Sequence, residues 1–111
     1  MIFDTDVLIW YLKGNSRAKD LLASIPFSER HTTSMTHLEL LTGNRGKSEI
    51  RAIEDFLRSV FSRIVPLDEP ISSMAVRLMR RHGSSDGLRP ADALIAATSM
   101  ALHQPLATAN V

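Results

Sequence analysis

Residues 2–12 read IFDTDVLIWYL, a short apolar run that ends at Asp4 and passes at once into a helical pattern. The helical pattern consists of apolar residues that recur on one face: Val7, Leu8, Tyr11 and Leu12. Gly14 and Asn15 follow, and this pair is typical of a helix end. The segment therefore predicts a short strand, an acid at its carboxyl end, and a helix that begins almost directly after it.

The same alternation of strand and helix continues along the chain. Further strand candidates lie at residues 30–34, 64–65 and 106–108. Helical patterns cover residues 16–25, 36–41, 47–61, Ile71 to near Gly83, and 91–102. Short strands that alternate with helices predict a short parallel sheet covered on both faces. We therefore expect residues 1–111 to form a single α/β domain, a three-layer α/β/α sandwich.

Three helices carry more specific expectations. Ser16 is predicted to cap the second helix, and Thr36-x-x-Glu39 has the spacing of a capping box. Pro90 opens the last helix, which is apolar almost all round. A helix of that kind is buried on every side, either inside the domain or at a subunit interface.

Composition excludes several classes of protein. The chain has 111 residues, 13 Lys and Arg against 12 Asp and Glu, and a formal net charge of +1, which argues against a polycationic nucleic-acid coat or an acidic tail. It has no cysteine, so disulfides, thiolate metal sites and a cysteine nucleophile are excluded. No segment has the pattern of a secretory signal or a membrane span. We therefore expect a soluble domain in the cytoplasm.

Four acids stand out by their position: Asp4, Asp6, Glu39 and Asp92. Asp4 ends the first strand, Glu39 lies one turn into the helix after the second strand, and Asp92 lies in the first turn of the last helix. An open parallel sheet binds ligands beyond the carboxyl ends of its strands, where the strand order reverses. Acids brought together there would repel one another in a partly desolvated cleft, so a cation is expected. Mg²⁺ or Mn²⁺ suits carboxylate oxygens, and zinc is the poorer choice.

Most of these acids also have a purely structural explanation. Glu39 would complete the capping box, Asp92 would interact with the helix dipole, and Asp6 would cap the first helix. Asp4 has no such task, because Asp6 already fills it. The coincidence of all four at equivalent strand ends is harder to explain by capping, so the set favours a metal site.

Four segments resemble the motifs of the PIN-domain family. They are Ile2-Phe3-Asp4-Thr5-Asp6-Val7-Leu8-Ile9, Thr36-His37-Leu38-Glu39-Leu40-Leu41-Thr42-Gly43, Pro90-Ala91-Asp92-Ala93-Leu94-Ile95-Ala96-Ala97-Thr98 and Leu106-Ala107-Thr108-Ala109-Asn110. They occur in the family's order and span nearly the whole chain, which is far more specific than any single motif. Within the family, the length and the motifs are most similar to those of VapC, the toxin of VapBC toxin–antitoxin pairs.

This resemblance implies an Mg²⁺-dependent endoribonuclease, with Mn²⁺ as a substitute, that a cognate antitoxin protein holds inactive. Asp4, Glu39 and Asp92 match the family's catalytic, metal-binding acids. Thr5 and Thr108 match positions that usually support those acids by hydrogen bonds. The resemblance also implies a homodimer, and we expect an RNA substrate of the tRNA or rRNA class.

Four further residues complete the expected site. Asn110 stands where the fourth motif often has an acid, and it would offer a neutral carbonyl oxygen to a metal. Asp6 is the candidate for a fourth acid, which would assist proton removal or hold a second ion. Arg89 and Arg45 are expected to contact RNA phosphates, Arg89 first because it lies closest in sequence to a motif acid.

Two alternative functions stay open at this point. VapC-like chains normally continue past the fourth motif with a last edge strand, whereas this sequence stops at Val111, so we expect a truncated carboxyl end. Together with Asn110, this agrees mildly with a catalytically silent PIN-like module that binds nucleic acid or a partner. The other alternative is a metal-dependent DNA nuclease, which competition between RNA and DNA substrates would distinguish.

Overall fold

A computed structural model describes residues 1–43 and 45–108 of the chain. Its strands are β1 (Ile2–Phe3), β2 (His31–Thr33), β3 (Arg63–Val65) and β4 (Leu106–Ala107). Its α-helices are α1 (Thr5–Leu12), α2 (Ser16–Ser24), α3 (Ser34–Leu40), α4 (Lys47–Val60), α5 (Glu69–His82) and α6 (Pro90–Leu102). A single 3-10 turn, Phe27–Glu29, precedes β2. Each predicted element is present, with bounds that differ from the predicted ones by at most two residues.

The four strands form one parallel sheet in the order β3-β2-β1-β4. Ile2 of β1 pairs with His31 on one side and Leu106 on the other, and Phe3 pairs with Ala107. The chain therefore builds outward from β1 through β2 to β3 and then returns to place β4 on the opposite side of β1. Strand order reverses at β1, so the crevice beyond the ends of β1 and β4 is where such a sheet binds ligands.

Helices cover both faces of the sheet, which confirms the α/β/α sandwich. Successive strand residues face opposite sides, so Phe3 and Ile2 belong to different hydrophobic cores. The core around Phe3 is filled from α1, α2, α3 and α4 by Val7, Leu8, Ala18, Leu22, Leu40 and Leu57. The core around Ile2 is filled from α5 and α6 by Ile71, Ala75, Ala93, Ile95 and Ala97. The two packed layers hold the carboxyl ends of the strands in fixed positions.

Two of the predicted helix caps are wrong by one turn or less. Asn15, not Ser16, caps α2, because its side-chain oxygen accepts the Ala18 backbone N–H at 3.0 Å. Thr33, not Thr36, caps α3, because its hydroxyl accepts the Thr36 N–H at 3.1 Å. The capping box with Glu39 therefore does not form, and the Glu39 side chain is left for another role.

The third capping expectation also fails. Asp6 lies inside the first turn of α1, and the residue at the cap position is Asp4. The Asp4 side chain makes no capping hydrogen bond to the helix. Neither acid is therefore explained by capping.

Helix α6 is buried along one side and open along the other. Ala93, Ile95, Ala97 and Thr98 are buried, whereas Asp92 and Met100 are exposed. Within one chain the helix is thus not enclosed all round, and a subunit interface over its open side stays a prediction. Across residues 1–43 and 45–108, we find no helix with the length and apolar character needed to span a membrane.

Candidate active site

The site begins with two residues that leave neighbouring strands at the same edge of the sheet. Asp4 follows β1 and Thr108 follows β4, and the Asp4 backbone N–H extends the strand pairing by donating to the Ala107 carbonyl at 2.9 Å. The Thr108 hydroxyl donates to Asp4 Oδ2 at 3.2 Å. The predicted strand-end acid therefore lies at the point where strand order reverses, and the predicted supporting threonine contacts it.

The Asp4 carboxyl is half-buried, and its ionised form is disfavoured there. Loss of hydration raises the pKa of Asp4 above its ordinary value, and the negative charge of Asp6 raises it further. The hydrogen bond from Thr108 and the nearby backbone N–H groups of Thr5 and Asp6 lower the pKa only in part. Asp4 thus carries a negative charge that its protein surroundings do not fully compensate.

Glu39 is joined to this region through Thr5, the residue after Asp4. The Thr5 hydroxyl donates to Glu39 Oε1 at 2.6 Å, within the range of hydrogen bonds to a charged acceptor. The same hydroxyl lies 3.0 Å from the Thr36 hydroxyl, one turn before Glu39 on α3. Glu39 is therefore held beside the end of β1 by a hydrogen bond of the kind that the motif of Thr5 implies, and the supporting role of Thr5 in a reaction stays a prediction.

Asp92 is carried by a different element, helix α6. It is in the first turn of α6, it is exposed, and α6 packs against α3, which carries Glu39. No hydrogen bond to the Asp92 carboxylate is formed by the parts of the chain that the structure describes. Its position in the first turn of α6 suits the interaction with the helix dipole, and its exposure also leaves it open to a ligand.

The donors in this crevice fit a hard divalent cation in kind. Carboxylate oxygens are what Mg²⁺ and Mn²⁺ prefer, and a cation would offset both the repulsion from Asp6 and the desolvation of Asp4. Among residues 1–43 and 45–108, however, no three acids or histidines lie close enough together to hold an ion jointly. This suits an ion that keeps several waters and binds one or two carboxylates plus a substrate phosphate, as Mg²⁺ commonly does.

The other predicted site residues are Asp6, Asn110, Arg89 and Arg45. Asp6 is half-buried and near enough to Asp4 to affect its pKa. Asn110 lies outside the described residues. Arg89 is the exposed residue at the cap position of α6, three positions before Asp92. Arg45 is exposed and lies 3.5 Å from Glu49 Oε2, so its charge is partly engaged.

Sequence reasoning missed two residues of this site, Thr36 and Thr33. Thr36 was assigned to a helix cap, yet its hydroxyl contacts Thr5 and also lies 3.4 Å from the Thr33 hydroxyl. Both threonines are completely buried. In the sequence, the available signal was a threonine at the end of a predicted strand and another at the start of the next helix. Helix capping explains threonines at such positions equally well.

Comparison with known proteins places this arrangement in a family. The family model described as PIN domain matches residues 1–111. Ribonuclease VapC19 of Mycobacterium tuberculosis is 35% identical over 113 residues, which cover 99% of this chain and 88% of the relative.

Solved structures give the same result at the level of the fold. A toxin–antitoxin complex from Klebsiella pneumoniae contains a chain with a TM-score of 0.80 and 27% identity, covering 98% of this chain and 85% of that one. FitAcB from Neisseria gonorrhoeae gives a TM-score of 0.73 and 26% identity, covering 96% and 85%. With the four motifs in order and Asp4 at the reversal of strand order, these matches establish that the chain belongs to the PIN-domain family, among its VapC-like members.

Proposed function

We propose that this protein is an endoribonuclease dependent on Mg²⁺ or Mn²⁺ and acts as the toxin of a toxin–antitoxin pair. The observation that carries the proposal is the Asp4 carboxylate, half-buried beside Asp6 where strand order reverses, with its pKa raised. A bound cation would stabilise this charge, which supports the dependence on a metal ion. The relatives named Ribonuclease VapC19 and Ribonuclease VapC10 support RNA as the substrate. We also propose a cytoplasmic location, because the RNA substrate would be in the cytoplasm.

The acids of the crevice would hold the ion and orient it. Asp4, Glu39 and Asp92 are the proposed catalytic and metal-binding acids, with Asp6 and Asn110 as further candidates. Because no three acids of residues 1–43 and 45–108 lie together, one or two of them would bind the ion directly and the others would act through its water molecules. The bound ion would acidify a water molecule and offset charge on the phosphate that this water attacks. Thr108 keeps Asp4 Oδ2 in place, and Thr5 keeps Glu39 Oε1 in place. The negative charge of Asp6 repels that of Asp4, and a bound cation would offset this repulsion.

The RNA backbone would be held by basic side chains at the rim of the crevice. Arg89 is the better candidate, because it is exposed near Asp92 and, in the described parts of the chain, no acid lies within ion-pair distance of it. Arg45 is second, since it shares its charge with Glu49. We propose a structured RNA of the tRNA or rRNA class as the substrate.

The antitoxin would bind over α1 and α2. Here a groove of about 300 Å³ is lined by Val7, Trp10, Ala18 and Leu21, and also by the polar residues Asn15, Arg17 and Thr108. Trp10 is 51% exposed and Leu12 is 56% exposed, which is much apolar surface for one small helix. The similar chain from Klebsiella pneumoniae comes from a toxin–antitoxin complex, which supports a protein partner for this chain as well.

A homodimer is also part of the proposal. Val76 on α5 is 50% exposed and Met100 on α6 is 47% exposed, so the helical layer over Ile2 presents apolar side chains outward. A second copy of the chain would cover this layer by a twofold contact.

The chemistry of the cut ends tests this function against its alternatives. Antitoxin-free protein is incubated with labelled structured RNA and with DNA of the same sequence, in Mg²⁺ or Mn²⁺. We expect cleavage of RNA alone, leaving 5′-phosphate and 3′-hydroxyl ends, because the attacking group is water. Ends with 2′,3′-cyclic phosphate would overturn the mechanism, and preferential cleavage of DNA would overturn the substrate.

A further inference from the structure

A chain of three threonine hydroxyls runs from the end of β2 to Glu39. Thr33 Oγ1 lies 3.4 Å from Thr36 Oγ1, which lies 3.0 Å from Thr5 Oγ1, which lies 2.6 Å from Glu39 Oε1. Thr33 and Thr36 are fully buried, and Thr5 is 5% exposed. Each of these hydroxyls therefore depends on the others for its hydrogen bonds.

Counting protons gives the chain one direction. A hydroxyl has a single hydrogen to donate, and an ionised carboxylate only accepts. Thr5 donates its hydrogen to Glu39, so Thr36 must donate to Thr5, and Thr33 must donate to Thr36. Thr33 in turn accepts the Thr36 backbone N–H at 3.1 Å. The direction of every donor is thus set by the backbone at one end and by the carboxylate at the other.

Thr36 departs from the usual behaviour of threonine in a helix. Such a hydroxyl commonly bonds to a carbonyl one turn earlier. Thr98, in α6, does this with the Leu94 carbonyl at 2.8 Å, and it is as deeply buried as Thr36. The Thr36 hydroxyl instead contacts a side chain 31 residues away in sequence. Its hydrogen bond therefore joins α3 to the start of α1 at the candidate site.

We propose that Thr36 is a positioning residue that directs the Thr5 proton to Glu39. This proposal rests on the proposed function. With Oε1 occupied by Thr5, the other carboxylate oxygen of Glu39 is fixed in direction and available to a divalent cation. Partners that orient a metal ligand in this way typically change metal affinity by 10- to 100-fold when they are removed.

Two variants of Thr36 and one matched control test the proposal. Thr36→Val keeps the shape and removes the hydroxyl, Thr36→Ser keeps the hydroxyl, and Thr98→Val removes an equally buried hydroxyl that bonds only to its own helix. Mn²⁺ affinity of the full chain is measured by electron paramagnetic resonance. We expect Thr36→Val to bind about 10-fold more weakly, and Thr36→Ser and Thr98→Val to bind like wild type. Equal affinity of Thr36→Val and wild type, or equal losses in Thr36→Val and Thr98→Val, would overturn the proposal.

A second readout requires neither metal nor RNA. The Thr5 hydroxyl proton, shielded from solvent and hydrogen-bonded to a carboxylate, should give an observable NMR signal coupled to the Glu39 carboxyl carbon in wild type and in Thr36→Ser. That signal should be lost or strongly shifted in Thr36→Val. Absence of the coupling in wild type would disprove the hydroxyl chain. Failure of wild type to bind Mn²⁺ while the coupling is present would overturn the proposed metal-dependent function and leave the hydroxyl chain established.

Discussion

Thr108 donates its hydroxyl to the Asp4 carboxylate at 3.2 Å, although 104 positions separate the two residues in sequence. The contact exists because β4 returns to the side of β1 opposite β2 and ends at the same edge. This hydrogen bond lowers the pKa of Asp4, whereas desolvation and the charge of Asp6 raise it. The pair therefore links the topology of the sheet to the electrostatics of the site.

Removal of this hydroxyl should disturb Asp4 in a definite direction. In Thr108→Val the carboxylate loses a hydrogen bond that favours its charged form, so the pKa of Asp4 should rise further. Titration of the Asp4 carboxyl carbon by NMR measures this directly. Mn²⁺ affinity should fall about 10-fold in the same variant. An unchanged Asp4 pKa in Thr108→Val would contradict the role given to Thr108.

The raised pKa of Asp4 also predicts how stability depends on pH. A folded state that binds its proton more tightly than the unfolded state loses stability as pH rises above the ordinary aspartate value of 3.8. Ionised Asp4 should therefore destabilise the metal-free protein at neutral pH. Asp4→Asn should melt at a higher temperature than wild type at pH 7 without metal, and this difference should shrink as pH falls toward 3.8. A lower Tm for Asp4→Asn at pH 7 would show that the carboxylate is stabilising.

Substitution of Arg89 should weaken RNA binding in a salt-dependent way. RNA affinity falls as the salt concentration rises, and each lost phosphate contact makes the slope of log affinity against log salt concentration less steep by about 1. We expect this change for Arg89→Ala when RNA affinity is measured by fluorescence anisotropy at several salt concentrations. All variants carry Asp4→Asn, so that the RNA is not cleaved during the measurement. Arg45→Ala should change the slope less, because Glu49 already shares its charge. Arg58→Ala, which removes an exposed arginine paired with Asp55, is the control. Equal slopes for Arg89→Ala and Arg58→Ala would remove Arg89 from the RNA-binding surface.

The exposed tryptophan of α1 offers a test of the partner surface. Trp10→Ala should reduce antitoxin affinity at least about 10-fold, because exposed aromatic anchors commonly dominate protein interfaces. Phe27→Ala removes an aromatic ring of similar exposure on the 3-10 turn and should leave antitoxin binding unchanged. Calorimetric titration with the cognate antitoxin provides the measurement. Equal binding of the Trp10→Ala variant and wild type would exclude the α1–α2 groove as the main contact.

The fold was predictable because its signals are local and repeated. Apolar periodicity in α4 and α5, the Pro90 helix start, and the short apolar run before Asp4 each indicate one element without knowledge of the others. Positions of the helix caps were less predictable. Asn15 and Ser16 are both good caps, and only the geometry of the turn selects Asn15.

Of the expected hydrogen bonds at the site, those of Thr5 and Thr108 form, whereas the contact between Thr36 and Thr5 was not anticipated. The family resemblance implied that Thr108 supports one of the acids by a hydrogen bond, and in the structure Thr108 donates to Asp4. The link from Thr36 to Thr5 depends on how α3 packs beside α1, which no local pattern specifies. For the same reason, sequence spacing did not reveal that no three acids or histidines of the described residues gather at one point.

Cleavage of structured RNA by the antitoxin-free protein is the measurement that should come first. Wild type, Asp4→Ala and Asp92→Ala are compared in Mg²⁺, in Mn²⁺ and in EDTA, with circular dichroism to verify that each variant is folded. We expect wild type to cut only with a divalent cation, and both folded variants to be inactive under every condition. Cleavage that persists in EDTA, or in folded Asp4→Ala with Mg²⁺, would contradict a metal-dependent nuclease centred on Asp4.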